Sequence, residues 1–447
     1  MVSLLACPRC HTKLKVSAEG GWQCAPCKIN FPSLDGVAWL WPEPGPALLD
    51  WRNRFNRHLG EVETELSRLN TLTSPKTKHS DFLAARQQYR QQLKGILAPL
   101  KLPDEVAQEV HIALRTQPLE QLADHHALDS YSQNIFRDWR WGEDENKAVL
   151  GCLEGCLEKL QGVENILVLG SGAGRLGIDI HKRLSSATVH LLDSNPLLSF
   201  IAYAMAQGTP VELTEFPRAP VSELAISHTL QPSPIKGVEV ICADALNPPF
   251  LTESVDLVVT PWLIDVIDAP LEQQLQTYAP LIKPGGYWLN HGSLAFNRQD
   301  VTQRWDETDI KDMTEANGFE VLHTAHLLIP YLQNPNERHQ RQELVFNQLS
   351  RRTTQPMAQA PFSNNHTPAW LTDLNQTVPL SEEFQTQITS TRVHGFIMSL
   401  INGERSIKDI AGVLEEQRLM PAKEGAEAVA NLLRIMHNEK LAQQRQH

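Results

Sequence analysis

The chain has 447 residues, of which 41% are hydrophobic and 21% charged, with a formal net charge of −12 at pH 7. At roughly 150 residues per domain this suggests about three domains, and the residue balance excludes wholesale disorder. The acidic balance argues against a nucleic-acid partner for the whole molecule, and no apolar run reaches the roughly 18 residues of a membrane span.

Residues 1–42 read as a small unit of their own. The opening Met1 to Cys7 lacks a basic start, so no export signal is read there and a cytoplasmic location is expected. Four of the seven cysteines form two pairs, Cys7-Pro-Arg-Cys10 and Cys24-Ala-Pro-Cys27, with thirteen residues between them. Each Cys-x-x-Cys turn presents two thiolates from one knuckle, and two knuckles complete a tetrahedral site suited to zinc. Four protein ligands leave no open position, so this Zn2+ is expected to be structural. The odd cysteine total argues against a disulfide framework.

Residues 43–130 read as a helical segment, with Phe55, Leu59, Val62, Leu66 and Leu69 at three- and four-residue spacing. From 131 to 350 strands alternate with helices. A helix over 144–160 leads into strands at 165–170, 188–192, 238–243, 255–260, 286–290 and 319–323, which predicts a mostly parallel, doubly wound α/β sheet. Residues 351–389 read as a linker. Residues 390–447 regain helical periodicity, with a turn at Asn402-Gly403 and Ser406 placed to cap the next helix.

The chemistry concentrates at the ends of these strands. Gly170-Ser-Gly172-Ala-Gly174 follows the first strand and opens a helix, a turn that lets a ligand approach the backbone closely. Asp193 closes the next strand about twenty residues on, where a carboxylate can accept both hydroxyls of a ribose. A dinucleotide and S-adenosylmethionine both fit that far.

The downstream series discriminates between them. Ile241-Cys-Ala-Asp244-Ala245, Val255-Asp-Leu-Val-Val-Thr260 and Leu281-Ile-Lys-Pro-Gly-Gly-Tyr287 resemble, in order and spacing, the class I S-adenosylmethionine-dependent methyltransferases. That resemblance assigns Gly170, Gly172, Gly174, Asp193, Asp244 and Ala245 to the cofactor. Val168 stands where many such enzymes carry an acid, so another group must hold the methionine end.

Three narrower resemblances follow. Residues 1–40 resemble zinc-ribbon methyltransferase activators, through Leu-Leu-Ala-Cys-Pro-Arg-Cys, Trp-Gln-Cys-Ala-Pro-Cys and Phe31-Pro-Ser-Leu-Asp-Gly-Val37, which implies a protein-docking module fused here to its partner. Residues 131–350 resemble the carnosine N-methyltransferases in four blocks: Asn134-Ile-Phe-Arg137-Asp-Trp139, Pro261-Trp-Leu-Ile-Asp265, Lys283 to Phe296, and Ile329-Pro-Tyr331 with Gln342 to Phe346. The resemblance implies that Arg137 clamps the methionine carboxylate, and that Asp265 and Tyr331 act on an imidazole acceptor. A substrate-contacting histidine of that family falls on Asn297 and a second tyrosine on Gln342. His291 lies nearby and is either a substitute for the missing histidine or a structural residue. Residues 393–436 resemble small winged-helix modules of the peptide-binding PqqD-like type, which implies either a protein or peptide partner or a packing or dimerisation module.

The expectation is therefore an S-adenosylmethionine-dependent methyltransferase acting on an imidazole or histidine nitrogen of a small molecule, peptide or protein. The alternatives are an RNA methyltransferase that makes contact through the zinc ribbon, and a non-catalytic scaffold.

Overall fold

The computed structural model describes residues 4–17, 20–71, 77–101, 131–298, 300–353, 377, 380 and 382–445. Most of the expected linker, and residues 102–130 of the expected helical segment, lie outside these. The chain divides into two compact units, Met1–Ser363 and Asn364–His447. Among the described residues no helix is long and apolar enough to cross a membrane.

The first unit opens with a three-stranded antiparallel sheet, β1 (Lys15–Val16), β2 (Trp22–Cys24) and β3 (Ile29–Phe31). A tight hairpin follows, β4 (Ser33–Leu34) and β5 (Val37–Trp39), turned by Asp35 and Gly36 in left-handed backbone, φ 49° and 91°. Helices α1 (Pro44–Thr71) and α2 (Thr77–Ile96) come next. Trp51, Phe55, Leu59, Val62 and Leu66 form the buried stripe of α1, the spacing expected of a helix with one covered face.

After α3 (Ser132–Phe136) and α4 (Glu143–Leu157) the alternation begins: β6 (Asn165–Leu169), α5 (Arg175–Arg183), β7 (Thr188–Asp193) and α6 (Pro196–Gln207). A hairpin, β8 (Val211–Glu215) and β9 (Ile226–Leu230), forms a separate two-stranded sheet. The main sheet resumes with β10 (Val238–Cys242), β11 (Val255–Pro261), α7 (Leu271–Tyr278), β12 (Ile282–Gly292), α8 (Glu307–Ala316), β13 (Phe319–Tyr331) and β14 (Arg341–Arg352).

Nine strands lie in the order β13-β14-β12-β11-β6-β7-β10-β5-β4. From β12 to β5 neighbouring strands run parallel, while β14 is antiparallel to both β12 and β13. Every residue of β11 is buried, as expected where helices cover both faces of a parallel strand. The expected doubly wound α/β sheet is thus present, with β12 and β13 longer than their short apolar cores suggested.

Two features were not anticipated. The β8–β9 hairpin lies between the strands expected at 188–192 and 238–243, where no strand was expected. The small N-terminal unit also does not stand apart, because β5 adds itself to the edge of the main sheet. Ala38 and Trp39 pair with Ile241 and Cys242, Leu40 N–H donates to Cys242 C=O at 3.0 Å, and Leu5 bridges Phe250. Val37, Trp39 and Leu40 are fully buried there.

The second unit contains α9 (Glu382–Ser399), α10 (Ile407–Glu416) and α11 (Ala422–Arg445). Ser406 caps α10 as expected, in a reciprocal box with Asp409. Its small core is Ile397, Leu400, Ile410, Leu414 and Val429. Among the described residues this unit holds helices only, so the wing of the expected winged helix is not seen there.

Candidate active site and metal centre

Parallel strands bind ligands beyond their carboxyl ends, where helix N-termini and loops converge. Here that edge begins with the loop from β6 to α5. Gly170, Gly172 and Gly174 all adopt left-handed backbone, φ 67°, 58° and 88°. A methyl group at Gly170 would meet Leu263 at 2.6 Å, whereas one at Gly172 would meet nothing within 4 Å. The loop therefore has an open face at Gly172. Gly177, one turn into α5, lets the helix approach Leu191 so closely that an added methyl would lie 2.3 Å from it.

Asp193 sits beside this open face. Its Oδ2 accepts Gly172 N–H at 2.9 Å and its Oδ1 accepts Asn195 N–H at 2.8 Å. Burial pushes its carboxyl up to about 6, against the pull of those amides. Each oxygen retains a lone pair, so the carboxylate can still accept two hydroxyls. Asp244 is engaged differently: it accepts Leu246 N–H at 2.9 Å and the Asn247 side-chain amide at 2.8 Å, shaping its own turn, with Ala245 buried next to it.

Residues 137–141 form a π-helical turn, closed by Gly142 N–H donating to Arg137 C=O at 3.0 Å. Such turns are rare and need outside support. Trp139 Nε1 donates to Ala173 C=O at 3.0 Å, and Arg175 donates to Asp138 C=O at 2.9 Å while lying over the Trp139 ring. The turn is thereby fastened to the glycine loop. Arg137 pairs with Asp138 at 2.8 Å and with Glu145 at 3.5 Å. Burial opposes its charge, but these two carboxylates outweigh it and hold the guanidinium protonated. Burial pushes Glu145 up to about 7.

On the other side of the edge, Pro261 ends β11 and Trp262 takes left-handed backbone at φ 51°, a strained conformation for a bulky residue. Its N–H donates to His291 C=O at 2.6 Å. Its ring lies 4.6 Å from Tyr331 and 5.3 Å from His291, centroid to centroid. Asp265 follows, its Oδ2 accepting Ala295 N–H at 2.9 Å and Ser293 Oγ–H at 3.4 Å. The Tyr331 phenol is raised by burial, against the nearby charge of Arg137. The Tyr131 phenol is raised by burial and by the charges of Asp193 and Tyr331.

His291 is fully buried, and its Nδ1 meets Asn347 Oδ1 at 2.6 Å. With the amide oxygen accepting, the proton lies on Nδ1. Burial keeps the ring neutral, pulling it down to about 4. Asn297 and Gln342 are both exposed, in the loop after β12 and on β14 opposite Pro330. The edge thus gathers Arg137, Asp193, Tyr331, Tyr131 and Trp262, while Asn297 and Gln342 lie on the surface. Tyr131, Glu145 and Trp262 carried no separate signal in the sequence, because each acts through a partner distant along the chain. A cavity of about 580 Å3 lined by Leu160, Val163, Leu184 and Thr188 lies at the opposite end of β6 and contains none of these groups.

The ligand atoms of Cys7, Cys10, Cys24 and Cys27 lie within 4.8 Å of one another. Cys7 and Cys27 sulfurs are 4.0 Å apart, and Cys10 and Cys24 sulfurs 3.4 Å. A tetrahedral zinc with bonds of about 2.3 Å separates its sulfurs by just under 4 Å, so the four thiols fit that ion. Burial pushes Cys27 up to about 11. For Cys10 burial acts the same way, but the Thr12 hydroxyl and amide outweigh it and bring the thiol to about 6.

No protein-family model and no curated protein matches the chain. Solved structures do. A methyltransferase-like protein of Bacillus halodurans is 13% identical, over 47% of this chain and 100% of that one, with a TM-score of 0.33. A Methanosarcina mazei S-adenosylmethionine-dependent methyltransferase is 14% identical, over 45% and 98%, TM-score 0.33. A Haloferax volcanii complex of the Trm112 methyltransferase activator with a methyltransferase aligns at 12% identity, over 50% and 98%, TM-score 0.33. The seven strands from β10 to β13, in which β14 beside β12 alone is reversed, have the order of the class I methyltransferase fold; β5 and the antiparallel β4 extend that sheet at its β10 edge.

Proposed function

We propose that the chain is an S-adenosylmethionine-dependent N-methyltransferase acting on an imidazole nitrogen of a small molecule, peptide or protein. The observation that carries this reading is the shared edge: an open glycine loop bonded to Asp193 on one side, and Trp262, Asp265 and Tyr331 on the other. Gly172 and Asp193 would hold the adenosine end of the cofactor, Ala245 and Asp244 the base. Arg137, with N–H donors beyond those used by Asp138 and Glu145, would hold the methionine carboxylate.

The bound cofactor supplies a methyl group activated on a sulfonium. The protein's task is alignment, since the transfer is an in-line displacement. An imidazole has an unperturbed pKa of about 6.5, so at neutral pH much of it already presents a free lone pair. Among the described residues Asp265 bonds through Oδ2, which leaves Oδ1 to accept the acceptor's second N–H. That bond fixes the tautomer and stabilises the charge that develops as the new N–C bond forms, the part a carboxylate has beside histidine in a triad. Tyr331 and Trp262 would form the wall against which the ring stacks.

The N-terminal ribbon is read as an activator in cis, supported by the pairing of β5 with β10 and by the four-thiol cluster. The C-terminal unit is read as a peptide- or protein-recognition module. Its close balance of basic and acidic residues favours such a partner over nucleic acid.

The test is transfer of labelled methyl from S-adenosylmethionine to carnosine, histidine peptides, and the small-molecule, protein and RNA fractions of a lysate. The expected outcome is label on an imidazole nitrogen. Label in RNA, or no binding of the cofactor by calorimetry, would refute the reading.

A further inference from the structure

Three buried carboxylates bind together segments that are far apart in the chain. Glu145 accepts Leu332 N–H at 2.7 Å in addition to Arg137. Glu337 accepts the Gln133 side-chain amide at 2.7 Å and Arg218 N–H at 2.8 Å. Glu215, the last residue of β8, is the most fully engaged. Its Oε1 accepts Asn334 Nδ2–H at 2.6 Å and Trp141 Nε1–H at 3.0 Å. Its Oε2 accepts from His228 Nε2 at 2.7 Å, and Arg140 Nε donates to His228 Nδ1 at 3.3 Å. With Nδ1 accepting, the proton lies on Nε2, and every group around the carboxylate points a donor at it.

Asn334, only 1% exposed, is in turn the centre of the loop that follows Tyr331. Its Oδ1 accepts Asn336 N–H at 2.9 Å and its C=O accepts the Gln340 amide at 2.9 Å. Leu332, the first residue of that loop, has left-handed backbone at φ 47°, which persists only where the surroundings impose it. The β8–β9 hairpin meets the same loop twice more, through Val221 N–H to Asn336 C=O and Arg338 N–H to Ala219 C=O, both at 2.9 Å.

We infer that Glu215 is a positioning residue for the acceptor side of the site: through Asn334 and Trp141 it locks the loop after Tyr331 onto the π-helical turn, so that the inserted hairpin acts as a clamp on the acceptor wall. This rests on the methyltransferase reading above. Arg137 does not depend on Glu215 for its own partners: it keeps Asp138 and Glu145, although Glu145 also accepts Leu332 N–H, and the turn keeps its bond from Trp139 to Ala173. A glutamine at 215 cannot serve as an isosteric replacement. Its amide would face His228 Nε2–H, and the ring cannot exchange tautomers because Nδ1 faces the Arg140 N–H.

The experiment compares full-length wild type with Glu215→Gln and Asn334→Ala. Three readouts are the Kd for S-adenosylhomocysteine by calorimetry, amide hydrogen exchange, and transfer kinetics with carnosine as the probe acceptor. The expected result in both variants is a Kd within about twofold of wild type and exchange across 331–338 faster by about tenfold or more. KM for carnosine rises about tenfold, with kcat changed less than threefold. Exchange altered only within 211–230, a Kd weakened as much as KM, or an unchanged KM would overturn the clamp. If carnosine is not turned over, exchange and Kd decide alone. A wild type that does not bind S-adenosylhomocysteine refutes the methyltransferase reading itself. Normal binding with an unaltered loop in both variants refutes only the role of Glu215.

Discussion

Asp193 is pulled in two directions. Burial raises its carboxyl to about 6, while the hydroxyls it is proposed to accept require the ionised form. Cofactor affinity is therefore expected to hold above pH 6 and to weaken below it, by up to about tenfold per unit, with a proton released on binding near pH 6. Calorimetry between pH 5 and 8 checks this, and Asp193→Asn should flatten the profile at low affinity. The glycines separate in the same way. Gly172→Ala places a methyl in open space at φ 58°, costing about 1–2 kcal/mol of backbone strain, yet it should weaken cofactor binding at least about tenfold because the open face is the proposed cradle. Gly177→Ala collides with Leu191 and should lower stability first. Asp265→Ala should leave cofactor binding nearly intact and lower turnover at least about tenfold, as losing a positioning carboxylate does; unchanged turnover would remove Asp265 from the mechanism. The glycines and the aspartates were legible because their types and spacing are local. Trp262 was not, since a ring against Tyr331, some seventy residues away in the chain, is a fact of the folded edge.

At the scale of elements, β5 joins two parts of the chain that composition separates. Its side of the sheet buries Val37, Trp39 and Leu40 completely, and burial of each large side chain is worth about 1.5–3 kcal/mol. Trp39→Ala should cost about 3–5 kcal/mol, read as a fall in the unfolding midpoint. Zinc release by a chelator should remove one ion per chain and loosen the strand that the ribbon supplies. Since Leu40 is bonded to Cys242, two residues before Asp244, several-fold weaker cofactor binding should follow. The cysteine pairs announced their cluster because metal-ligand spacing is written in adjacent residues. The pairing of β5 with β10 was hidden, because a three-residue strand has no periodicity to read and its partner lies two hundred positions away.

For the whole molecule, His291 sets a pH dependence. The folded ring is pulled down to about 4 from 6.5, so between those values the unfolded chain binds the extra proton. Its contribution is present above pH 6.5 and is lost as pH falls toward 4, by up to about 3 kcal/mol. Glu145 and Asp193, both raised by burial, act with the opposite sign, so the difference in stability between wild type and His291→Gln isolates the ring across pH 4 to 7. The division into two units makes a further prediction. Every residue proposed to hold the cofactor lies within Met1–Ser363, so the chain truncated after Ser363 should bind S-adenosylmethionine with the affinity of the full chain, measured by calorimetry.

The sequence by itself determined the α/β class, the run of buried strands, the glycine turn and the four thiols, because hydrophobic period, turn chemistry and ligand spacing are all short-range. Only the tertiary structure decided that β5 adds a strand to the main sheet and that a hairpin where no strand was expected reaches across to the loop after Tyr331. It also decided that His291 is buried against Asn347 while Asn297 and Gln342 remain on the surface. Those outcomes depend on which strand edge and which buried carboxylate finds its donors, and such pairings are settled between residues that the chain itself keeps far apart.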